Sequence, residues 1–244
     1  MAEVTKMKYC VNGEWKESAT DKWMTVTDSS TGEAIAEIPC CTEDEVHSAI
    51  AAAHAAFPSW SQMSLTKRTQ YLFKWRNVMI DHLDELTLIC AKELGKTLDE
   101  AKGDVLKAIE PTEFATSIPY TIQGSSALQV TTGFDCTTYR VPLGVVAGIV
   151  PMNFPAMIPW GWMVPLAIAC GNTVVLKANS QTPLTSMRML ELFYDEAGFP
   201  KGVVNLVTCS RHEAEIFMTD ERIKAVSFVG TTGVGKHIYS VAAA

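Results

Sequence analysis

The sequence predicts an α/β fold, in which a doubly wound, Rossmann-like parallel sheet is preceded by N-terminal helices and carries a projecting β-hairpin. Two observations predict it. From residue 144 onward, short apolar runs alternate with helical patterns, and connections this short imply right-handed crossovers between parallel strands. The first run, residues 145–150, is apolar and rich in β-branched side chains, as in a strand buried on both faces. Such sheets bind their ligands at the carboxyl ends of the strands.

Short strands open the chain. Asn12-Gly13 lies between two strand-like runs and is typical of a tight hairpin turn. Residues 26–39 predict a second pair of short strands, which turns around residues 30–32.

Helices follow these strands. Thr42 and Glu45 form a capping box, which predicts the start of a helix. Residues 64–94 predict one long amphipathic helix, and residues 98–118 predict another. Pro111 indicates a kink or a boundary in the second of these.

Residues 121–141 are polar, β-branched and poor in charge, with a turn at residues 132–134. They predict an extended hairpin that leaves a helical layer and returns directly to the strand at residue 145. We interpret this hairpin as an oligomerisation arm. An edge hairpin packed on its own domain is the alternative, and the sequence does not distinguish the two.

The C-terminal part predicts alternating strands and helices. The expected strands are residues 145–150, 173–177, 203–207 and 225–229, and the expected helices are residues 156–170, 182–197, 211–218 and 232–243.

Composition excludes several classes of function. A net charge of −7 over 244 residues argues against nucleic acid or an anionic membrane as a partner. Residues 141–176 carry no charge, but five prolines interrupt them, so they predict a buried core and no membrane span. The first ten residues lack the apolar stretch of a signal peptide. We therefore expect a cytoplasmic protein.

The cysteines and histidines give no catalytic or metal signature of their own. The seven cysteines have no paired spacing and are interpreted as reduced, buried or peripheral thiols. None has a base or an oxyanion donor nearby in sequence. The five histidines are scattered, so no metal site is expected.

Asn153 is the first candidate site residue. It follows Pro151 and Met152 at the end of the first core strand, which places a neutral amide donor where open α/β sheets keep their ligands. A fixed amide donor there can stabilise an oxyanion. The alternative is a side chain that caps the next helix, and the local pattern alone favours the cap.

Two further strand ends carry candidate ligand groups. Gly230 and Thr231 follow an apolar strand and open a helix, where backbone N–H groups bind anions. The glycine spacing is neither that of a dinucleotide fingerprint nor that of a P-loop, so a plain glycine-rich turn remains open. Lys177 ends the second core strand and lies beside Asn153 and Gly230 if the strands are neighbours.

These features occur together in one family. The chain resembles the N-terminal half of an NAD(P)-dependent aldehyde dehydrogenase, and within that family it is most similar to the CoA-acylating methylmalonate-semialdehyde dehydrogenases. The matching blocks cover nearly the whole chain: Glu93-Leu94-Gly95-Lys96, Pro151-Met152-Asn153-Phe154-Pro155, and residues 139–145, 165–173, 176–177, 196–205 and 227–232.

The resemblance implies a role for each candidate residue. Asn153 supplies the oxyanion amide, Lys177 contacts the adenosine ribose, and Gly230 and Thr231 receive the pyrophosphate of NAD or NADP. Pro151 and Met152 border the same cofactor.

The resemblance also implies a reaction. A cysteine thiolate attacks a semialdehyde, hydride passes to the nicotinamide, and CoA takes the acyl group from the resulting thioester. This is a step of valine catabolism in that branch, whose enzymes are homo-oligomers, so we expect a dimer or a tetramer.

The departures from the family pattern define further expectations. The block with the catalytic cysteine is not among these residues, so we expect a truncated, cofactor-binding half that is inactive alone. We divide it into residues 1–120, the N-terminal strands and helices, 121–141, the hairpin arm, and 142–244, the Rossmann-like core. The alternatives are a hydrolytic, broad-specificity aldehyde dehydrogenase and a non-catalytic dinucleotide-binding or subunit module.

Three substitutions bear on ligand choice. Ser180 replaces the glutamate that holds both ribose hydroxyls, which removes the repulsion against a 2′-phosphate and makes NADP an accepted cofactor. Cys209 stands where a glycine is usual near the adenine. Lys107 stands where the semialdehyde branch carries an arginine for the substrate carboxylate, and lysine lacks the bidentate fork.

Overall fold

A computed structural model describes residues 4–244 of the chain. The strands are β1 (Tyr9–Val11), β2 (Glu14–Lys16), β3 (Trp23–Thr27), β4 (Ala34–Pro39), β5 (Ser126–Thr131), β6 (Phe134–Thr137), β7 (Val145–Ile149), β8 (Thr173–Lys177), β9 (Val204–Val207) and β10 (Ile223–Phe228). The helices are α1 (Glu43–Ser61), α2 (Leu65–Asp81), α3 (Leu83–Leu94), α4 (Leu98–Ala115), α5 (Ile118–Thr121), a π-helix (Ile158–Met163), α6 (Val164–Ala169), α7 (Leu184–Asp195), α8 (Arg211–Ala214), α9 (Ile216–Thr219) and α10 (Thr232–Ala242).

The central sheet has six strands in the order β10-β7-β8-β9-β1-β2. The first four are mutually parallel, as the alternating pattern predicts. The N-terminal hairpin then adds two antiparallel strands, with Cys10 opposite Leu206. Asn12 and Gly13 take positive φ angles of 56° and 67°, which confirms the predicted turn.

Helices cover both faces of this sheet, so the doubly wound fold is confirmed. On one face α1 and α9 bury a small core that includes Val46, Ile50 and Phe217. On the other face α2, α4, α7 and the π-helix bury the larger core, where the rings of Trp75 and Trp160 lie 5.4 Å apart.

Two helix predictions need correction. Residues 64–94 form two helices, because His82 leaves the helical conformation at φ −102° and ψ 15°. Pro111 lies inside α4, so a helix boundary there is wrong, while a kink at Pro111 stays a prediction. Proline has no N–H to donate to the carbonyl of Lys107, four residues earlier. That carbonyl oxygen lies close to Gly161, where an added Cβ would approach it to 2.8 Å.

The predicted helix at residues 156–170 is also irregular. Its first half is π-helical, and the N–H of Val164 donates to Pro159, five residues back. Pro165 cannot donate to the carbonyl four residues before it, so the regular ladder is broken here.

β5 and β6 pair as the predicted hairpin, and every residue of both strands is exposed. Its role as an oligomerisation arm, and the division of the chain at residues 120 and 141, remain predictions. Across residues 4–244, no helix is both long enough and apolar enough to pass through a lipid bilayer.

Candidate active site

The three strand ends singled out in the sequence lie side by side. β7 is the central strand of the group: Ile149 pairs with Lys177 of β8 on one side and with Phe228 of β10 on the other. The loops that follow β7 and β10 therefore leave the sheet at the same edge, next to Lys177. Asn153 and Gly230 lie in these two loops.

Asn153 does not cap the following helix. The π-helix begins at Ile158, its N-cap residue is Met157, and no side chain caps it. The Asn153 side chain is exposed and makes no hydrogen bond with the residues at positions 4–244. The cap, which the local pattern favours, is therefore wrong, and the amide remains available to a ligand.

The backbone on either side of Asn153 is held by α7 and the loop before it. The Thr182 hydroxyl donates to the Met152 carbonyl at 2.9 Å, and the Ser186 hydroxyl donates to the Pro155 carbonyl at 3.0 Å. Both hydroxyls lie about 30 residues along the chain from their acceptors, |i−j| being 30 and 31, so sequence inspection misses them.

A cavity of about 450 Å³ adjoins Lys177. Its walls are largely apolar and include Ile149, Ala214, Val234 and Ile238. Its polar side chains are those of Lys177, Thr231, Arg211, Glu215 and His237. A mostly apolar cleft with a few convergent polar groups at strand ends is typical of a nucleotide site.

A second, more open cavity of about 620 Å³ covers the start of α10. Gly230, Thr231 and Thr232 line it, together with Lys236. Thr231 is the N-cap residue of α10 but makes no side-chain cap hydrogen bond, so the first N–H groups of this helix are available to an anion. An added Cβ at Gly230 would lie 2.4 Å from the Phe228 ring, so a side chain at residue 230 would require that ring to move.

Two predicted ligand residues lie outside these cavities. Ser180 is half-buried in the loop after β8 and does not line the cavity beside Lys177. Lys107 lies on an exposed face of α4, where its ammonium group is 2.7 Å from a carboxylate oxygen of Glu110. Neither Ser180 nor Lys107 makes a hydrogen bond or an ion pair with Asn153 or Lys177.

The cysteines are poorly suited to nucleophilic attack. Burial raises the pKa of Cys10, Cys41 and Cys209 to about 12, which leaves the thiols protonated near neutral pH. Burial also raises the pKa of Cys40, Cys90 and Cys170. Cys136 is exposed, but it lies on the hairpin strand β6.

Residues 4–244 contain no group of three or more His, Cys, Asp or Glu side chains that could hold a metal ion.

Comparison with known proteins identifies the relatives of this site. The model of the aldehyde dehydrogenase family matches residues 15–244. The malonate-semialdehyde dehydrogenase of Bacillus cereus strain B4264 is 44% identical over 237 residues, which are 97% of this chain and 48% of the relative. Malonate-semialdehyde dehydrogenase 1 of Oceanobacillus iheyensis is 44% identical over 243 residues, or 100% of this chain and 50% of the relative.

Solved structures give the same result. The methylmalonate-semialdehyde dehydrogenase of Oceanimonas doudoroffii superposes with a TM-score of 0.94 at 34% identity, covering 98% of this chain and 49% of the other. A Sinorhizobium meliloti 1021 protein described as a dehydrogenase of the same name, and complexed with NAD, gives 0.96 at 32% identity, with 100% and 49% coverage. The chain spans about half the length of the curated relatives it matches.

Proposed function

The chain belongs to the aldehyde dehydrogenase family, and we propose that it contributes the cofactor site and the oxyanion donor for the NAD(P)-dependent oxidation of a semialdehyde. One observation carries the proposal. The free amide of Asn153 lies at the same sheet edge as the Lys177 cavity and the uncapped start of α10. A hydride acceptor and a reacting carbonyl group can therefore be held side by side.

Asn153 stabilises the charge that develops on the aldehyde oxygen. When a thiolate adds to the carbonyl carbon, the oxygen becomes an oxyanion, and the amide NH₂ of Asn153 donates to it. Removing such a donor typically costs about 2.7–4 kcal/mol of transition-state stabilisation, or roughly 10²–10³-fold in kcat.

The Asn153 role is tested with Asn153→Ala in the active enzyme that contains this chain. We expect kcat to fall about 10²–10³-fold while cofactor affinity stays unchanged. Asn77→Ala, at an exposed asparagine on α2, is the matched control and should leave kcat as it is. An Asn153→Ala enzyme with native kcat would refute the assignment.

The residues present fit a dinucleotide. The apolar walls of the 450 Å³ cavity suit an adenine, Lys177 is a donor for ribose hydroxyls, and the N–H groups at Thr231 suit a pyrophosphate. The nicotinamide of the bound cofactor would supply the hydride acceptor. With Ser180 in the loop after Lys177, no carboxylate at that position repels a 2′-phosphate, so we propose that NADP binds as well as NAD.

Fluorescence titration of both cofactors tests this choice. We expect comparable affinities for NAD and NADP, and Ser180→Glu should weaken NADP selectively. A strong native preference for NAD would contradict the proposal.

The attacking thiolate is assigned to none of the seven cysteines of this chain. Five are buried, Cys170 is half-buried, and Cys136 lies on the hairpin. We therefore expect the 244-residue chain alone to form no NAD(P)H from an aldehyde and to require a thiolate from elsewhere in the enzyme. Aldehyde-dependent NAD(P)H production by the purified chain would overturn this assignment.

For the substrate we propose malonate or methylmalonate semialdehyde, with CoA as acyl acceptor, as the names of the relatives suggest. Lys107 is the candidate cation for the substrate carboxylate. Lys107→Met should then raise the KM for a semialdehyde more than the KM for an uncharged aldehyde of the same length. Release of a free acid without CoA would instead favour the hydrolytic alternative.

The β5–β6 hairpin remains our candidate for the contact between subunits of a homo-oligomer. Its fully exposed strands support that role.

A further inference from the structure

The segment that joins α3 to α4 contains Lys96, whose role the proposed function leaves open. We propose that Lys96 and Asp104 are positioning residues for Asn153, because together they fix the loop that carries its amide. This inference rests on the proposed function of Asn153.

Asp104 holds the end of the loop. It lies on α4 with a fully buried side chain, and its Oδ1 accepts the backbone N–H of Met157 at 2.8 Å. Its Oδ2 lies 3.2 Å from the Lys96 ammonium group and accepts from the Cys90 thiol at 3.5 Å. A buried carboxylate is costly unless it is paired, and Lys96 is the cationic partner of Asp104 at this point.

Lys96 also holds the start of the loop. Its ammonium group lies 3.9 Å from the centre of the Phe154 ring, within the range of a cation–π contact. Phe154 directly follows Asn153. One cation therefore links the carboxylate that binds Met157 to the ring beside the amide donor.

The chain brings Lys96 to this position through a sharp turn. Gly95 ends α3 in the left-handed conformation at φ 75°, and an added Cβ would lie 3.0 Å from the Ser29 side chain. A side chain at residue 95 would therefore strain the turn that directs Lys96 towards Asp104 and Phe154.

The loop that carries Asn153 is held by contacts on two sides. Ser186 of α7 and Thr182 of the loop before it hold the backbone on one side. On the other side Asp104 of α4 binds the Met157 N–H, and Lys96, between α3 and α4, contacts the Phe154 ring. The side chain of Asn153 itself remains unbound. A rigid backbone around an unengaged donor is what a preorganised oxyanion site requires, since the donor then needs no reorganisation during the reaction.

A double-mutant cycle in the active enzyme tests the proposal. Lys96→Met keeps the aliphatic stem and removes the charge, and Asp104→Asn keeps an acceptor for the Met157 N–H. Misplacing a reacting group by about 1 Å can cost up to about 10²-fold, so we expect each variant to lower kcat about 10-fold or more. The KM for aldehyde and the cofactor Kd should stay within about twofold of native, because neither residue lines the two cavities.

The decisive arm combines each variant with Asn153→Ala. If Lys96 and Asp104 act through Asn153, the second substitution should lower kcat little further. If the two fold-losses in kcat multiply in full, the positioning role is wrong, while the proposed role of Asn153 stands. A native kcat for Asn153→Ala would refute the proposed function and the positioning role together.

Hydrogen exchange on the same active enzyme and its variants provides a readout that does not depend on activity. Peptides that span residues 151–158 should exchange faster in Lys96→Met and Asp104→Asn, while peptides of β8 and α1 stay native. Glu45→Gln, at another buried carboxylate, should leave residues 151–158 unchanged. Native protection of the loop in both variants would overturn the proposal.

Discussion

Replacing Glu93 by alanine should destabilise the protein substantially, because this side chain caps a helix that is distant in sequence. Glu93 lies in the last turn of α3 and is 1% exposed. Its carboxylate accepts the N–H groups of Leu184 at 2.7 Å and Thr185 at 3.0 Å, and also the Thr185 hydroxyl. These groups open α7, whose own N-cap residue is Pro183 and provides no side-chain cap.

The magnitude follows from the groups left unpaired. Three donors, two of them buried and one partly buried, cost about 1–3 kcal/mol each without an acceptor, or about 6 kcal/mol in all. Against this, burial outweighs these hydrogen bonds and raises the pKa of Glu93 to about 7, so the buried carboxyl lowers stability near neutral pH, and alanine recovers part of that cost. The expected net loss in the free energy of unfolding is about 3 kcal/mol.

Urea unfolding followed by tryptophan fluorescence measures this loss, with Glu45→Ala as the matched control. Glu45 also accepts two backbone N–H groups, of Ala19 and Thr42 at 2.8 Å each, and a hydroxyl, of Ser18 at 2.7 Å. Its donors are exposed at Ala19 and half-buried at Ser18 and Thr42, so water can replace the lost acceptor and the loss should cost only about 1 kcal/mol, as for an ordinary cap. A smaller loss for Glu93→Ala than for Glu45→Ala would refute the reasoning.

Three further predictions concern pH and backbone strain. Because the raised pKa makes folded Glu93 bind a proton more tightly than unfolded Glu93 does, its contribution to stability should fall as the pH rises from 4.5 to about 7, and Glu93→Gln should remove that slope in urea titrations. At His82, burial lowers the pKa, but hydrogen bonds to Glu85 and Glu196 outweigh it and raise the pKa above 6.5. The stabilising contribution of His82 should be complete below pH 6.5 and be lost as the pH rises through the pKa of the folded state. His82→Gln should therefore flatten the dependence of the unfolding free energy on pH in that range. An unchanged pH dependence would contradict the assignment. Gly202→Ala should lower the free energy of unfolding by about 1–3 kcal/mol, because φ is +82° and the new methyl group would lie 2.9 Å from a side chain of α1. Gly133→Ala, where φ is +80° but no atom lies within 4 Å, should lower it less. Equal losses would argue against the contact at Gly202.

The sequence predicts turns and helix ends correctly where neighbouring residues alone determine them. The Asn12-Gly13 turn and the Thr42–Glu45 capping box both form as expected, since each depends only on residues within the motif. The break at His82 was missed because the helices before and after it both face the same core. Acidic residues in the first turn of α3, Asp84 and Glu85, are the signal that could have revealed it.

The candidate site was found for a similar reason. Asn153, Lys177 and Gly230 each follow a strand of a parallel sheet, and that rule needs only the strand pattern and the topology. The groups that fix the loop follow no such rule. Lys96 and Asp104 lie on the helical layer, and only their packing against the loop reveals what they contact.

The parallel α/β core, the family and the sheet edge that we propose as the ligand site all follow from the amino-acid sequence alone. These depend on hydrophobic periodicity, on turn chemistry and on motifs whose residues are close together in the chain. Only the packed structure shows that β1 joins the sheet beside β9, that Glu93 caps α7, and that Asn153 caps no helix within residues 4–244. These outcomes depend on which groups meet when separate layers pack, and a hydrogen bond across about 90 residues leaves no periodic trace in the sequence.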